Sequence, residues 1–193
     1  MSWLNLASWI PCTEVEGPGK RAALWVQGCD KRCVGCCNPD YLKIVEREVL
    51  KAEAMVDRLL EAQAEWGLEG VTFLGGEPLL QAQGLAVVAE GVSRAGLSVM
   101  TFTGYTMQEL NELSLPGARE LLAWTDVLVD GPYESANPDR RRNWVGSTNQ
   151  RFHYLTKRYD ALIEGADVPN REVEWRVRDD GRFVVNGWPV SIR

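Results

Sequence analysis

Ala22-Ala23-Leu24-Trp25-Val26-Gln27-Gly28-Cys29-Asp30-Lys31-Arg32-Cys33-Val34-Gly35-Cys36 joins a short apolar run to three cysteines, with three and then two residues between them. Ala22 to Val26 carries no polar side chain, the composition of a buried strand. The cysteines therefore fall in the loop that leaves its carboxyl end. Outward from there the same pattern recurs. Gly70-Val71-Thr72-Phe73-Leu74 reads as a second buried strand stopped by Gly75-Gly76, Leu97 to Phe102 as a third, and Val127-Leu128-Val129-Asp130 as a fourth. Between them lie stretches of helical spacing. Glu46 to Trp66 places Val49, Leu50, Ala52, Val56, Leu59, Leu60 and Ala64 on one face and meets Gly67 at its end. Gln81 to Arg94 closes near Gly96, and Met107 to Leu113 and Ala118 to Trp124 flank Pro116-Gly117. Apolar strands alternating with helices predict a parallel sheet covered on both faces, with right-handed crossovers.

In such sheets chemistry gathers beyond the carboxyl ends of the strands. The cysteine loop follows the first strand, Gly75-Gly76-Glu77-Pro78 the second, Thr103-Gly104-Tyr105 the third and Asp130-Gly131-Pro132-Tyr133 the fourth, so every unusual motif is expected on one edge.

Three thiolates in one loop suit a cubane iron-sulfur cluster held through three of its irons, with the fourth iron open to a small molecule. A zinc site would ask for a second Cys or His pair, and the only histidine is His153, far downstream. Cys12 and Cys37 are the remaining candidates for a fourth ligand, but Cys37 adjoins Cys36, and neighbouring residues cannot easily aim at different irons. The odd cysteine total argues against a disulfide scaffold. In the second loop Gly75 and Gly76 allow a sharp turn and close approach to a ligand, and Pro78 stiffens the exit. The carbonyls of such a turn accept from an ammonium group, with Glu77 adding negative charge or holding the turn. Thr103 and Tyr105 read as cleft walls or packing residues. Asp130 ends an apolar strand, where a carboxylate must be paired or wet. Gly17-Pro18-Gly19 reads as a turn ahead of the first strand, with Lys20 and Arg21 as surface charges.

The chain has 193 residues, long enough for one core and short for two, so residues 1–193 are expected to form one domain with 160–193 as a C-terminal extension. Met1 to Pro11 is apolar but lacks a basic flank and a long apolar run, so a cytoplasmic protein is expected. A formal charge of -6 disfavours a nonspecific nucleic-acid binder. Arg140-Arg141-Arg142 with Arg151, Lys157 and Arg158 is the local exception, a solvated loop or a partner contact. The eight tryptophans are expected mostly in the core or the walls of the site. Glu134 to Gln150 is polar and reads as a long loop. The tail changes period: Val173, Trp175 and Val177 alternate with polar residues, and Asp179-Asp180-Gly181 turns into Phe183 and Val185, a β-hairpin pattern.

Together, Cys29, Cys33, Cys36 and Gly75 to Pro78 resemble the radical S-adenosylmethionine enzymes, and among them the activating enzymes of anaerobic ribonucleotide reductase. Glu16 to Arg21, Trp25 to Cys29, Thr103 to Tyr105, Asp126 to Tyr133 and Gly146 to Arg151 look like blocks of that family in its order. Gly35 stands where many members carry an aromatic residue, and Val34-Gly35 departs from the proline-glycine pair common in activases. Cys37-Asn38-Pro39 is similar to the family's continuation, with a cysteine where an aromatic residue or histidine is common.

The resemblance implies a [4Fe-4S] cluster on Cys29, Cys33 and Cys36. It further implies S-adenosylmethionine bound near Gly35, Cys37, Asn38, Gly75, Gly76, Glu77, Pro78, Thr103, Tyr105 and Asp130. The implied reaction is reductive cleavage to a 5'-deoxyadenosyl radical that makes a glycyl radical on the large reductase subunit. An electron donor like flavodoxin or ferredoxin is implied too. The implied fold is α/β, an incomplete (β/α) barrel with a mostly parallel sheet plus a C-terminal β-hairpin, since eight units need about 250 residues. Rival readings are a small-molecule radical enzyme such as a 7-carboxy-7-deazaguanine synthase, an activase of another glycyl-radical enzyme, and a noncatalytic iron-sulfur carrier with a fourth protein ligand.

Overall fold

The computed structural model describes residues 2–165, 172–177, 181 and 183–187. Its main sheet is built from β1 (Trp3–Thr13), β2 (Arg21–Val26), β3 (Glu48–Lys51), β4 (Gly70–Gly75), β5 (Ser98–Phe102), β6 (Val127–Asp130) and β7 (Arg151–Tyr154). They lie in the order β3-β1-β2-β4-β5-β6-β7. β2, β4, β5 and β6 are parallel, while β1 and β7 run against their neighbours and β3 pairs antiparallel with β1. Five of the seven strands thus share one direction, and the sheet ends at β3 and β7 as an incomplete (β/α) barrel.

The helices are α1 (Ala52–Trp66), α2 (Ala82–Arg94), α3 (Met107–Glu112) and α4 (Ala118–Ala123). α1 stops at Gly67, whose left-handed φ of 66° lets its N–H reach the Gln63 carbonyl. Met55, Leu59, Leu85, Val88 and Leu121 from the helices pack with Leu24, Val26, Val71, Phe73 and Val99 in one core. The sheet is covered on both faces as expected, but the helices α1, α2 and α4 all share one of them. The concave face is covered by loops: Tyr41 packs with Ile10, Ala23 and Trp25, and Trp144 and Val145 with Met100, Val127 and Val129.

Three further differences from the sequence reading have local causes. β1 had no strand signal because its register shifts between Leu6 and Ser8, which breaks the alternation. Leu4 and Leu6 therefore join the helix-side core while Ile10 joins the concave face. The helix expected from Glu46 begins at Ala52, since Leu50 pairs opposite Leu4 in β3 and Val49 points outward, 47% exposed. β7 is a half-polar edge strand of four residues, too short for periodicity to show. The tryptophans are also more superficial than expected: Trp25 is buried, but Trp3, Trp66 and Trp175 are exposed.

Arg21, a surface charge by its sequence context, is fully buried at the foot of the concave face. Its guanidinium donates to Thr72 Oγ1 (2.8 Å), Ser98 Oγ (2.9 Å), Pro18 O (3.1 Å) and Val71 O (2.8 Å). Burial lowers its pKa. Five donors shared among fixed acceptors make it a polar plug.

The expected hairpin is present as β8 (Val173–Val177) and β9 (Phe183–Gly187), with Asp179 and Asp180 of the expected turn outside the described residues. It docks at the end of β1 that pairs with the start of β2, away from the strand carboxyl ends. Glu174 accepts from Thr13 Oγ1 (2.8 Å) and Glu14 N (2.9 Å), and Arg176 donates to Cys12 O (2.6 Å). Glu16 accepts from Gly187 N (2.7 Å) and Asn186 Nδ2 (3.4 Å). Burial pushes the Glu16 carboxyl up from 4.5 to about 7. Between those values the folded chain holds a proton that the unfolded chain has lost, so stability falls as pH rises through this window. Tm should therefore drop more between pH 5 and pH 8 in the wild type than in Glu16→Gln, which keeps the acceptor oxygen but cannot ionise. Equal drops would remove Glu16 from the account.

Candidate functional site

All four motif loops meet at the carboxyl ends of β2, β4, β5 and β6, as their positions in the sequence required. β2 delivers the chain to Gly28, whose φ of 97° turns it over the sheet rim. The Gly28 N–H is held by Tyr41 O (2.8 Å) and that of Cys29 by Leu42 O (3.2 Å), so the cysteine loop is closed at its base. Cys29 is buried, whereas Cys33 and Cys36 are half-buried on either side of the exposed Val34. Left-handed Arg32 (φ 48°) and Gly35 (φ 77°) bend the loop back on itself. Its amides turn toward sulfur. Asn38 N lies 3.4 Å from Cys36 Sγ, and the backbone amides of Lys31 and Arg32 favour negative charge on Cys29. Burial still raises the Cys29 thiol, while a hydrogen bond from Cys37 draws Cys36 down to about 6.

Among the described residues no three His, Cys, Asp or Glu side chains converge to hold a single metal ion. A cubane presents its irons at separate corners, so its thiolates need not share one point. The donor set fits that larger body: three thiols from one loop, with backbone N–H groups placed to support negative charge on two of them. Cys12 is turned away, packing against the helix-side core, and Cys37 is exposed beside Cys36.

The glycine turn is tight because the cysteine loop presses on it. A Cβ on Gly75 would lie 2.5 Å from Val26 N, and one on Gly76 would run into the Gly28 carbonyl oxygen. Gly76 N donates to Val26 O and Glu77 N to Gly28 O, both at 2.8 Å. Glu77 is buried, with a carboxylate that accepts from Leu79 N (2.9 Å), Thr103 Oγ1 (2.7 Å) and Gly104 N (2.7 Å). Burial pushes it up to about 7 despite three donors. Of the two roles open to Glu77 in the sequence, the geometry selects holding the turn. Pro78 opens a short 3-10 segment that leads into α2.

Thr103 and Tyr105 are both buried at the rim, and the Tyr105 hydroxyl bonds Asp30 in the cysteine loop. Asp130 is paired, accepting from Met107 N (2.5 Å) and lying 3.1 Å from His153 Nε2. Gly35 faces Tyr133 and Ser135, so the loop after β6 closes the far side of the cysteine loop. Asn38 precedes the 3-10 turn Pro39–Tyr41. Arg142, part of the basic run, is committed to Asp139 (2.8 Å) and to the Gln150 carbonyl (2.8 Å), which makes it a fastener of its own loop.

Residues 15–153 match the family model described as a 4Fe-4S single cluster domain. The chain belongs to the radical S-adenosylmethionine activase family. Its curated relatives include the anaerobic ribonucleoside-triphosphate reductase-activating proteins of Vibrio cholerae, 31% identical over 79% of this chain and 99% of the relative, and of Pasteurella multocida, 32% over 80% and 99%. That of Enterobacteria phage T4 is 31% identical over 77% of this chain and 93% of its own. The hairpin lies beyond the last residue of the family match.

Within this activase fold, Asp30, Lys31 and Glu109 are rim residues that sequence reasoning missed. Glu109 had a signal, because Thr106-x-x-Glu109 is a capping box and both of its bonds form at the start of α3. Asp30 and Lys31 had none beyond lying between two cysteines.

Proposed function

We propose that this protein uses a [4Fe-4S] cluster on Cys29, Cys33 and Cys36 to cleave S-adenosylmethionine and install a glycyl radical on an anaerobic ribonucleotide reductase large subunit. The observation that carries this reading is the convergence of the three-thiol loop with the Gly75–Pro78, Thr103–Tyr105 and Asp130–Tyr133 turns on one rim. The cluster, when bound, supplies one electron that splits the sulfonium carbon-sulfur bond into methionine and a 5'-deoxyadenosyl radical, which takes a hydrogen atom from a glycine Cα.

The chain's own part is placement. Glu77 fixes the β4 turn to the β5 turn, so the carbonyls of Gly75 and Gly76 keep a set position from which to accept from the ammonium of the methionine moiety. Thr103 and Tyr105 wall the cleft, and Asp130 holds the start of α3 beside it. The sheet is open between β3 and β7, which suits a protein loop as hydrogen donor. Residues 1–193 act as one unit in this reading, with 160–193 as an extension of the core, and the electron comes from a small one-electron carrier such as a flavodoxin or ferredoxin.

The test is anaerobic reconstitution with iron and sulfide, reduction with dithionite, and assay of 5'-deoxyadenosine, followed by electron paramagnetic resonance of a co-purified large subunit for the glycyl doublet. Both signals are expected. A protein that assembles a cubane but yields no 5'-deoxyadenosine would overturn the assignment.

A further inference from the structure

The residues between Cys29 and Cys33 reach across the rim to the turn after β5. Asp30 accepts the Tyr105 hydroxyl, and Lys31 Nζ lies 2.7 Å from Glu109 Oε1 and 3.9 Å from the centre of the Tyr105 ring. The Lys31 stem packs over Gly104, where a Cβ would meet Lys31 Cγ at 2.9 Å. Both receiving groups are themselves fixed. Tyr105 is buried, its N–H bonds Thr103 Oγ1 (3.1 Å) and its carbonyl accepts from Gly131 N (3.0 Å). Glu109 accepts from Thr106 N (2.7 Å) through the oxygen that Lys31 does not use. Through Thr103 the same network continues to Glu77, so one chain of polar contacts joins the ends of β2, β4, β5 and β6.

We infer that Asp30 and Lys31 form a two-point latch, on Tyr105 and Glu109, that sets the conformation of the cysteine loop before any cluster is present. Tyr105 is then a positioning residue: its hydroxyl acts on Asp30, and through Asp30 on Cys29 and Cys33. That this position serves the cluster rests on the proposed function; the latch itself does not.

Trypsin reads the latch directly, because Lys31 and Arg32 are its cleavage sites and Arg32 is exposed. In the full-length chain without iron, Tyr105→Phe and Asp30→Ala should each be nicked after residues 31 and 32 about tenfold faster than wild type, the scale of one hydrogen bond to a charged group. The double variant should be no faster than either alone, and Asp30→Asn, which keeps an oxygen for the tyrosine but loses the charge, should be nicked at a rate between wild type and Asp30→Ala. Asp30 is exposed, so its truncation leaves the core intact even if Tyr105→Phe destabilises the chain. After reconstitution and reduction, Asp30→Ala should show more than one cluster signal where the wild type shows one. Wild-type nicking rates in both single variants, or rates that multiply in the double, would overturn the latch. Nicking is measured before iron is added, so a failure of S-adenosylmethionine cleavage in the wild type would refute the proposed function and leave the latch standing.

Discussion

Cys33→Ala should lower 5'-deoxyadenosine formation by more than ~100-fold, since even outer-shell changes at metal sites cost 10–100-fold. Cys33 lies midway round the loop, where Cys36 N donates back to its carbonyl at 3.2 Å, so the substitution removes a sulfur and leaves the backbone turn in place. The expected protein is therefore folded, melts within a few degrees of wild type and retains little iron after desalting. Cys12→Ser is the matching control. Cys12 packs with the helix-side core rather than the cysteine loop, so this variant should match the wild type in iron content and in 5'-deoxyadenosine formation. A Cys33→Ala protein with wild-type iron content and turnover would show that the three-thiol reading is wrong. Loss of iron in Cys12→Ser without loss of fold would identify a fourth protein ligand.

Gly76→Ala should be strongly damaging for the addition of a single methyl. Gly76 lies outside the left-handed region, so alanine meets no backbone strain there. What it meets is Gly28, whose carbonyl oxygen it would overlap, with the carbonyl carbon at 2.8 Å and the amide nitrogen at 3.0 Å, all of them backbone atoms that cannot rotate aside. Relief requires the β4 turn to move off the cysteine loop, breaking the bonds from Gly76 N to Val26 O and from Glu77 N to Gly28 O. Overpacking of this kind costs about 1–3 kcal/mol, and the two lost bonds add about 1 kcal/mol each. A fall in Tm with loss of S-adenosylmethionine affinity is expected. Gly96→Ala supplies the contrast, because nothing lies within 4 Å of its Cβ and only the left-handed φ of 89° opposes it. If both alanines cost the same, the close approach of the two loops carries no weight.

The parallel core was legible because Ala22 to Val26, Gly70 to Phe73 and Val127 to Asp130 are buried on both faces and so read as largely apolar runs. The flanking strands were not. β1 hides behind its register shift, and Val49-Leu50 satisfied helical spacing by coincidence while serving as a strand. Of the site, glycines and cysteines announced themselves because their roles belong to their residue type. Glu77, Tyr105 and Asp130 were visible as positions, but their partners lie across the sheet, Thr103 and Gly104 for Glu77 being 26 and 27 residues away. Arg21 misled for the same reason: its acceptors Thr72 and Ser98 are 51 and 77 residues distant.

The unclosed wall between β3 and β7 would leave the radical of the proposed reaction without a complete shelter. Whatever polypeptide enters that gap would serve both as reactant and as stopper. In the proposed reaction, turnover in its absence should then end in abstraction from the weaker C–H or S–H bonds of buffer components, with deuterium from a carbon-deuterated buffer component appearing in the 5'-deoxyadenosine, whereas seating of the partner should exclude that label.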